Sequence, residues 1–136
     1  MYSSNYNIAG DFMILIIGGA YQGKLEYAKV RYNLKDNDIN DLSKESLDLN
    51  KKCIYHMEEL AFKLVDENKN VLDEVNKIMD NLKDKIIIID EIFSGVVPIS
   101  KDLRIKREEA AKMACLLSKN VSSVIRIYLG LNQIIK

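Results

Sequence analysis

The chain has 136 residues, one domain's worth and too few for two well-cored domains. Twenty Lys and Arg balance twenty Asp and Glu. This excludes the basic excess of a protein that grips nucleic acid through phosphates, and the acidic bias of a disordered, solvating chain.

Residues 1–10 carry neither the basic patch nor the long apolar core of a signal peptide and read as a loose N-terminal segment. Residues 12–17 are a continuous apolar run that stops at Gly18 and Gly19. Such runs suit a strand covered on both faces, and this one is far too short to cross a bilayer, so no membrane span is expected. Residues 24–32 read as a helix. Residues 33–50 are polar, with Asp36, Asn37, Asp38, Asn40 and Asp41 marking turns and a short strand at Ile39 to Leu42. Over residues 50–68, Cys53, Met57, Leu60, Ala61, Leu64 and Val65 share one helical face, and residues 71–82 repeat the pattern with Leu72, Val75, Ile78 and Met79.

A second buried-strand run, 85–90, ends in Asp90. A long helix follows from Ser100 or Lys101 to Lys119, with Ala110, Met113, Ala114 and Leu117 inward. The last run, 123–129, contains Arg126, which places it nearer the sheet edge, and Gly130 follows it. Cys53 and Cys115 both fall in apolar-periodic stretches and read as core residues. Two such thiols make no disulfide framework and no zinc set, which points to a reducing, cytoplasmic compartment.

Alternating strands and helices predict an α/β fold with a parallel sheet. Ligands of such sheets sit outside the carboxyl ends of the strands, which brings residues 18–24, 90–98 and 130–136 to one rim. Within the first of these, Gly18-Gly-Ala-Tyr-Gln-Gly23-Lys24 fits the phosphate-binding pattern G-x-x-x-x-G-K between a strand and a helix. With this chain's own Gly and Lys frequencies, a chance match has an expectation of roughly 0.03. The spacing has a physical basis. Backbone N–H groups of Gly18, Gly19, Ala20, Tyr21, Gln22, Gly23, Lys24 and Leu25 wrap toward the positive end of a helix, the glycines permit close approach, and Lys24 supplies the charge. Tyr21 and Gln22 contribute mainly backbone amides. The prediction is a three-layer P-loop-type fold over residues 1–136, with a small, mainly parallel sheet flanked by helices. ATP or GTP is the expected ligand, with Mg²⁺. The position after Lys24 is Leu25 rather than the Ser or Thr whose hydroxyl ligates Mg²⁺.

Other residues have two readings each. Asp90 and Glu91, after four isoleucines, either hold Mg²⁺ or its waters, with Asp90 first, or form a solvated strand end. His56, the only histidine, is either a phosphoramidate nucleophile or a half-buried histidine at the margin of the 50–68 helix. Arg104 and Arg107, one helical turn apart, either reach a phosphate or pair with Asp102 or Glu108. The seven tyrosines form no basic-aromatic pattern, so single-stranded nucleic acid is not an expected partner.

Two blocks resemble the adenosylcobinamide kinase / adenosylcobinamide-phosphate guanylyltransferase family of cobalamin biosynthesis. Ile14-Leu-Ile-Ile-Gly-Gly-Ala-Tyr-Gln-Gly-Lys24 is similar to that family's opening strand and GGAxSGKS loop. Ile86-Ile-Ile-Ile-Asp-Glu-Ile-Phe-Ser-Gly-Val-Val-Pro98, with Arg104, Arg107-Glu-Glu-Ala and Gly130-Leu to Lys136, is similar to its NEVGxGIVP loop, its R-x-x-R-[DE]-E helix and its closing strand. The resemblance implies a kinase with Lys24 and Asp90 as catalytic residues; His56, as the only histidine, is the one residue that could serve as the phosphoramidate nucleophile. The resemblance also implies phosphate or substrate contacts from Glu91, Arg104 and Arg107, cobinamide as the phosphate acceptor, and a homo-oligomer. Leu25, Phe93, Ala111 and Ala114 depart from the family pattern. Residues 34–52 contain neither His nor Arg, so the arginine-rich segment bearing the nucleotidylated histidine has no counterpart there. The alternative is a non-catalytic nucleotide- or corrinoid-binding member with a regulatory or assembly role.

Overall fold

The structure, a computed structural model, describes residues 12–91 and 100–136. The expected loose segment 1–10, Phe93 and the Gly95-to-Pro98 turn lie outside the described residues. Six strands, β1 (Ile14–Gly18), β2 (Ile39–Asp41), β3 (Cys53–Tyr55), β4 (Ile86–Asp90), β5 (Ser123–Tyr128) and β6 (Leu131–Ile134), form one sheet in the order β2-β3-β4-β1-β5-β6. The first five strands are parallel, and β6 returns antiparallel beside β5.

The continuous apolar runs are explained by the two faces of the sheet. Along β1 and β4, Ile14, Ile16, Ile86 and Ile88 point to one side, where α1 (Lys24–Tyr32) packs through Ala28 and Leu25. Leu15, Ile87 and Ile89 point to the other, under α2 (Glu58–Asp66), α3 (Val71–Ile78) and α4 (Lys101–Asn120). Ile16, Ile87, Ile88 and Ile89 are 0% exposed, and each such side chain contributes about 1.5–3 kcal/mol by leaving water. A period-2 polar position would put a side chain into one of these layers, so neither central strand has one before its carboxyl end.

Helix starts differ in a way that matters below. Asn70 and Ser100 accept hydrogen bonds from Asp73 N (2.9 Å) and Leu103 N (3.3 Å), capping α3 and α4. Helix α1 begins after Gly23, at φ 91°, with no side-chain cap.

Several expectations need correction. Residues 53–55 are a strand, not the first turn of a helix; α2 starts at Glu58. Cys53 and Ile54 are apolar because the sheet buries both of its faces there, and so short a run cannot be told from a helix by periodicity. The helix from Val71 gives way to a 3₁₀ turn at Met79–Leu82. Residues 131–134 turn away from the rim as β6, which leaves β5 one place inside the edge. Cys115 is exposed; Cys53 is buried. Among the described residues, no helix is long and apolar enough to cross a membrane.

Candidate functional site

Parallel, registered strands bring their carboxyl ends to a common rim, with Gly18 opposite Asp90 and Asp41 opposite Tyr55. Helix α1 leaves β1 over one face, and α4, the next described helix after β4, lies on the other. Neighbouring strands whose helices part to opposite faces open a crevice between them. Here it lies between Gly18 and Asp90, and a cavity of about 280 Å³ opens there, lined among others by Ala20, Tyr21, Gly23, Lys24, His56 and Asp90. A larger concavity of about 630 Å³ lies over the start of α3, where Lys77 pairs with Glu74 and Asn70 caps the helix. Those groups satisfy one another on a solvated helix, and no strand end reaches them.

Lys24 forms the floor of the crevice. It is 3% exposed, and its Nζ donates to Gly19 O at 2.6 Å and pairs with Asp90 Oδ1 at 2.7 Å. A buried ammonium needs such partners, because an unpaired charge there would cost several kcal/mol. Glu91 N donates to Gly18 O at 2.7 Å, which extends the β1–β4 pairing to the loop, and the Glu91 carboxylate pairs with Arg126 Nη2 at 3.2 Å. Gly18 is required by contact: a Cβ there would sit 2.5 Å from Ile127 O.

Gln22 does more than lend a backbone amide. Its side-chain Oε1 accepts from Leu129 N at 2.6 Å and its carbonyl from Gly130 N at 2.9 Å. Leu129 and Gly130, at φ 53° and 77°, form the two-residue turn between β5 and β6. Gln22 thus ties the tip of that hairpin to the loop. Leu25 packs into the apolar layer beneath α1, and its side chain has no oxygen to offer.

His56 follows β3 directly, at φ 59°, rather than lying on a helix margin. Its Nδ1 is 2.9 Å from Asp41 Oδ1, its Nε2 is 3.6 Å from Asp90 Oδ2, and the Tyr55 ring lies 3.8 Å away, centroid to centroid. Burial raises the Asp41 pKa, but hydrogen bonds from Ser43 and His56 outweigh it and hold the carboxyl below its usual range. Burial pushes the Tyr55 hydroxyl up to about 12, helped by the Asp90 and Asp41 carboxylates. Glu58, 4% exposed, has Oε1 accepting from Asp90 N at 3.0 Å. Burial raises its pKa to about 7 against the pull of that hydrogen bond.

Lys24, Asp90 and His56 therefore meet in one place. Arg104 and Arg107 are not among the described residues that line the cavity, and Asp102 pairs with Lys106 at 3.2 Å. Sequence reasoning missed Glu58 and the role of Asp41. Nothing in the sequence separates Glu58 from Glu59; Asp41 was visible only as a turn former.

No model of a known protein family matches the chain, and none of the curated proteins matches it significantly.

Proposed function

We propose that this chain is a nucleotide-dependent kinase of P-loop type, resembling adenosylcobinamide kinase. It binds ATP or GTP at residues 18–25 and transfers the γ-phosphoryl group to a corrinoid side-chain hydroxyl, as in cobinamide. The observation that carries this reading is Lys24. Its buried ammonium lies at the uncapped start of α1, beside a glycine-bounded loop and an aspartate at the neighbouring strand end.

The residues present fit a phosphate chain. The first N–H groups of α1 have no acceptor within the helix, and its positive end faces the loop. An arriving phosphate replaces Gly19 O and Asp90 as the partner of Lys24, so the ammonium changes partner without first being desolvated. In phosphoryl transfer, positioning and charge neutralisation supply most of the catalysis, and Lys24 and the loop amides do both. An Mg²⁺ accompanying the nucleotide would be held from the Asp90 side, directly or through water, and would neutralise phosphate charge there. Leu25 cannot contribute. Self-association, as the resemblance implies, is supported by edge strand β6, whose Leu131 and Ile134 are exposed.

The test is transfer of labelled γ-phosphate from ATP or GTP to cobinamide by purified protein. Cobinamide phosphate, lost on Lys24→Ala, is the expected product. Leu25 favours one other reading, a nucleotide-binding protein without turnover. Tight nucleotide binding with no labelled product from cobinamide is the result that selects it and defeats the kinase.

A further inference from the structure

The end of β3, the first residue of α2 and the end of β4 bring His56, Glu58 and Asp90 together, with one ligand atom from each lying within 4.8 Å of the others. We propose that these three residues bind a divalent transition-metal ion of the zinc and cobalt class, with Asp41 as the group that orients the histidine.

Two observations point to a cation rather than to a packed polar cluster. Asp41 Oδ1, 2.9 Å from His56 Nδ1, holds that side of the ring and turns Nε2 toward the neighbouring strand end. There Nε2 faces Asp90 Oδ2 at 3.6 Å. The distance is too long for a hydrogen bond. It is close to the separation of about 3.3 Å between two ligands of a tetrahedral ion with bonds of about 2.0–2.1 Å. A cation between Nε2 and Oδ2 turns these two facing atoms into a pair of ligands.

The carboxylate–histidine arrangement is also the one that fixes the ring of a metal-bound imidazole and raises its basicity. Glu58 Oε1 is already fixed by Asp90 N, so two of the three donors are held in place before any ion arrives. A nitrogen among the donors selects zinc, cobalt or nickel over magnesium, which takes oxygen ligands and gives up its waters reluctantly. Three protein ligands leave a further coordination position for water or substrate. The site needs no nucleotide; it shares Asp90 with the kinase reading but holds a resident ion distinct from the Mg²⁺ that accompanies the nucleotide there.

Chelator-treated protein is titrated with Co²⁺ in the absence of nucleotide and followed by visible absorption. One equivalent should bind, be displaced by Zn²⁺, and resist a hundredfold excess of Mg²⁺. His56→Gln and Asp90→Asn should each weaken binding at least tenfold, and Asp41→Asn roughly ten- to a hundredfold, while Glu74→Gln, on α3, should leave it unchanged. Circular dichroism checks that each variant is folded. Absence of stoichiometric binding, or unaltered affinity in folded His56→Gln and Asp90→Asn, overturns the proposal. Cobalt binding without nucleotide binding would sustain the metal site and sink the kinase; the reverse result would do the opposite.

Discussion

Lys24 and Asp90 are 2.7 Å apart, and the lysine side chain is almost wholly out of water. Breaking such a pair leaves an uncompensated buried charge, so Asp90→Asn should lower unfolding free energy by about 3 kcal/mol in urea titration. An unchanged midpoint would mean that Lys24 finds water or another acceptor. Glu58 makes a second, pH-dependent prediction. Its folded pKa of about 7 lies above the unfolded value of 4.5. Below 4.5 the carboxyl is protonated in both states and carries no penalty. Between 4.5 and about 7 the unfolded chain sheds this proton while the folded protein keeps it, so stability is lost across that window and levels off above it. Glu58→Gln keeps the acceptor for Asp90 N and cannot ionise. In chelator, it should match the parent near pH 4 and exceed it by about 2–3 kcal/mol at pH 8. Equal stability at both values would contradict the assignment. These two residues also mark the limit of what the sequence discloses. Lys24 is announced by its spacing from Gly18 and Gly23. Glu58 is buried only because α2 starts there, and that start depends on β3 pairing with β4.

At the scale of elements, β1 and β4 were legible because their runs are rich in β-branched isoleucine and end at turn or polar residues, which settles for strand what periodicity leaves open. β3 was not. Its three residues continue the apolar period of the following helix, and only their pairing with Ile39 to Asp41 and with Ile86 and Ile87 makes them a strand. Mistaking them moved His56 from a strand end to a helix margin and hid its approach to Asp90. β6 was missed for a related reason: Leu131, Asn132, Gln133 and Ile134 are all exposed, so no buried face writes a pattern into them. The loop between β1 and α1 is tested by its tightest contact. Gly18→Ala would drive a methyl against Ile127 O, a backbone atom on the paired strand, and should cost about 2–4 kcal/mol. A loss under 0.5 kcal/mol would show that β1 and β5 separate easily at their ends.

For the molecule as a whole, strand order is what turns scattered residues into a site. Asp41, His56, Asp90 and Gly18 lie at or just past the ends of four strands that are neighbours in the order β2-β3-β4-β1, so those ends form one continuous rim. Among the described residues, strand β6 is at the other edge; it carries no charge over Leu131 to Ile134 and exposes two large apolar side chains, the kind of edge on which the proposed self-association would build. Sedimentation should therefore detect self-association that Ile134→Lys reduces; a monomer at all concentrations would remove β6 as an interface. The most direct trial of the whole interpretation is calorimetric titration of the protein with ATP and with GTP, each with and without Mg²⁺. One nucleotide should bind per chain, and Lys24→Ala should weaken it at least tenfold. No heat with either nucleotide, or equal affinity in the folded Lys24→Ala protein, would contradict the claim that residues 18–24 cradle phosphate.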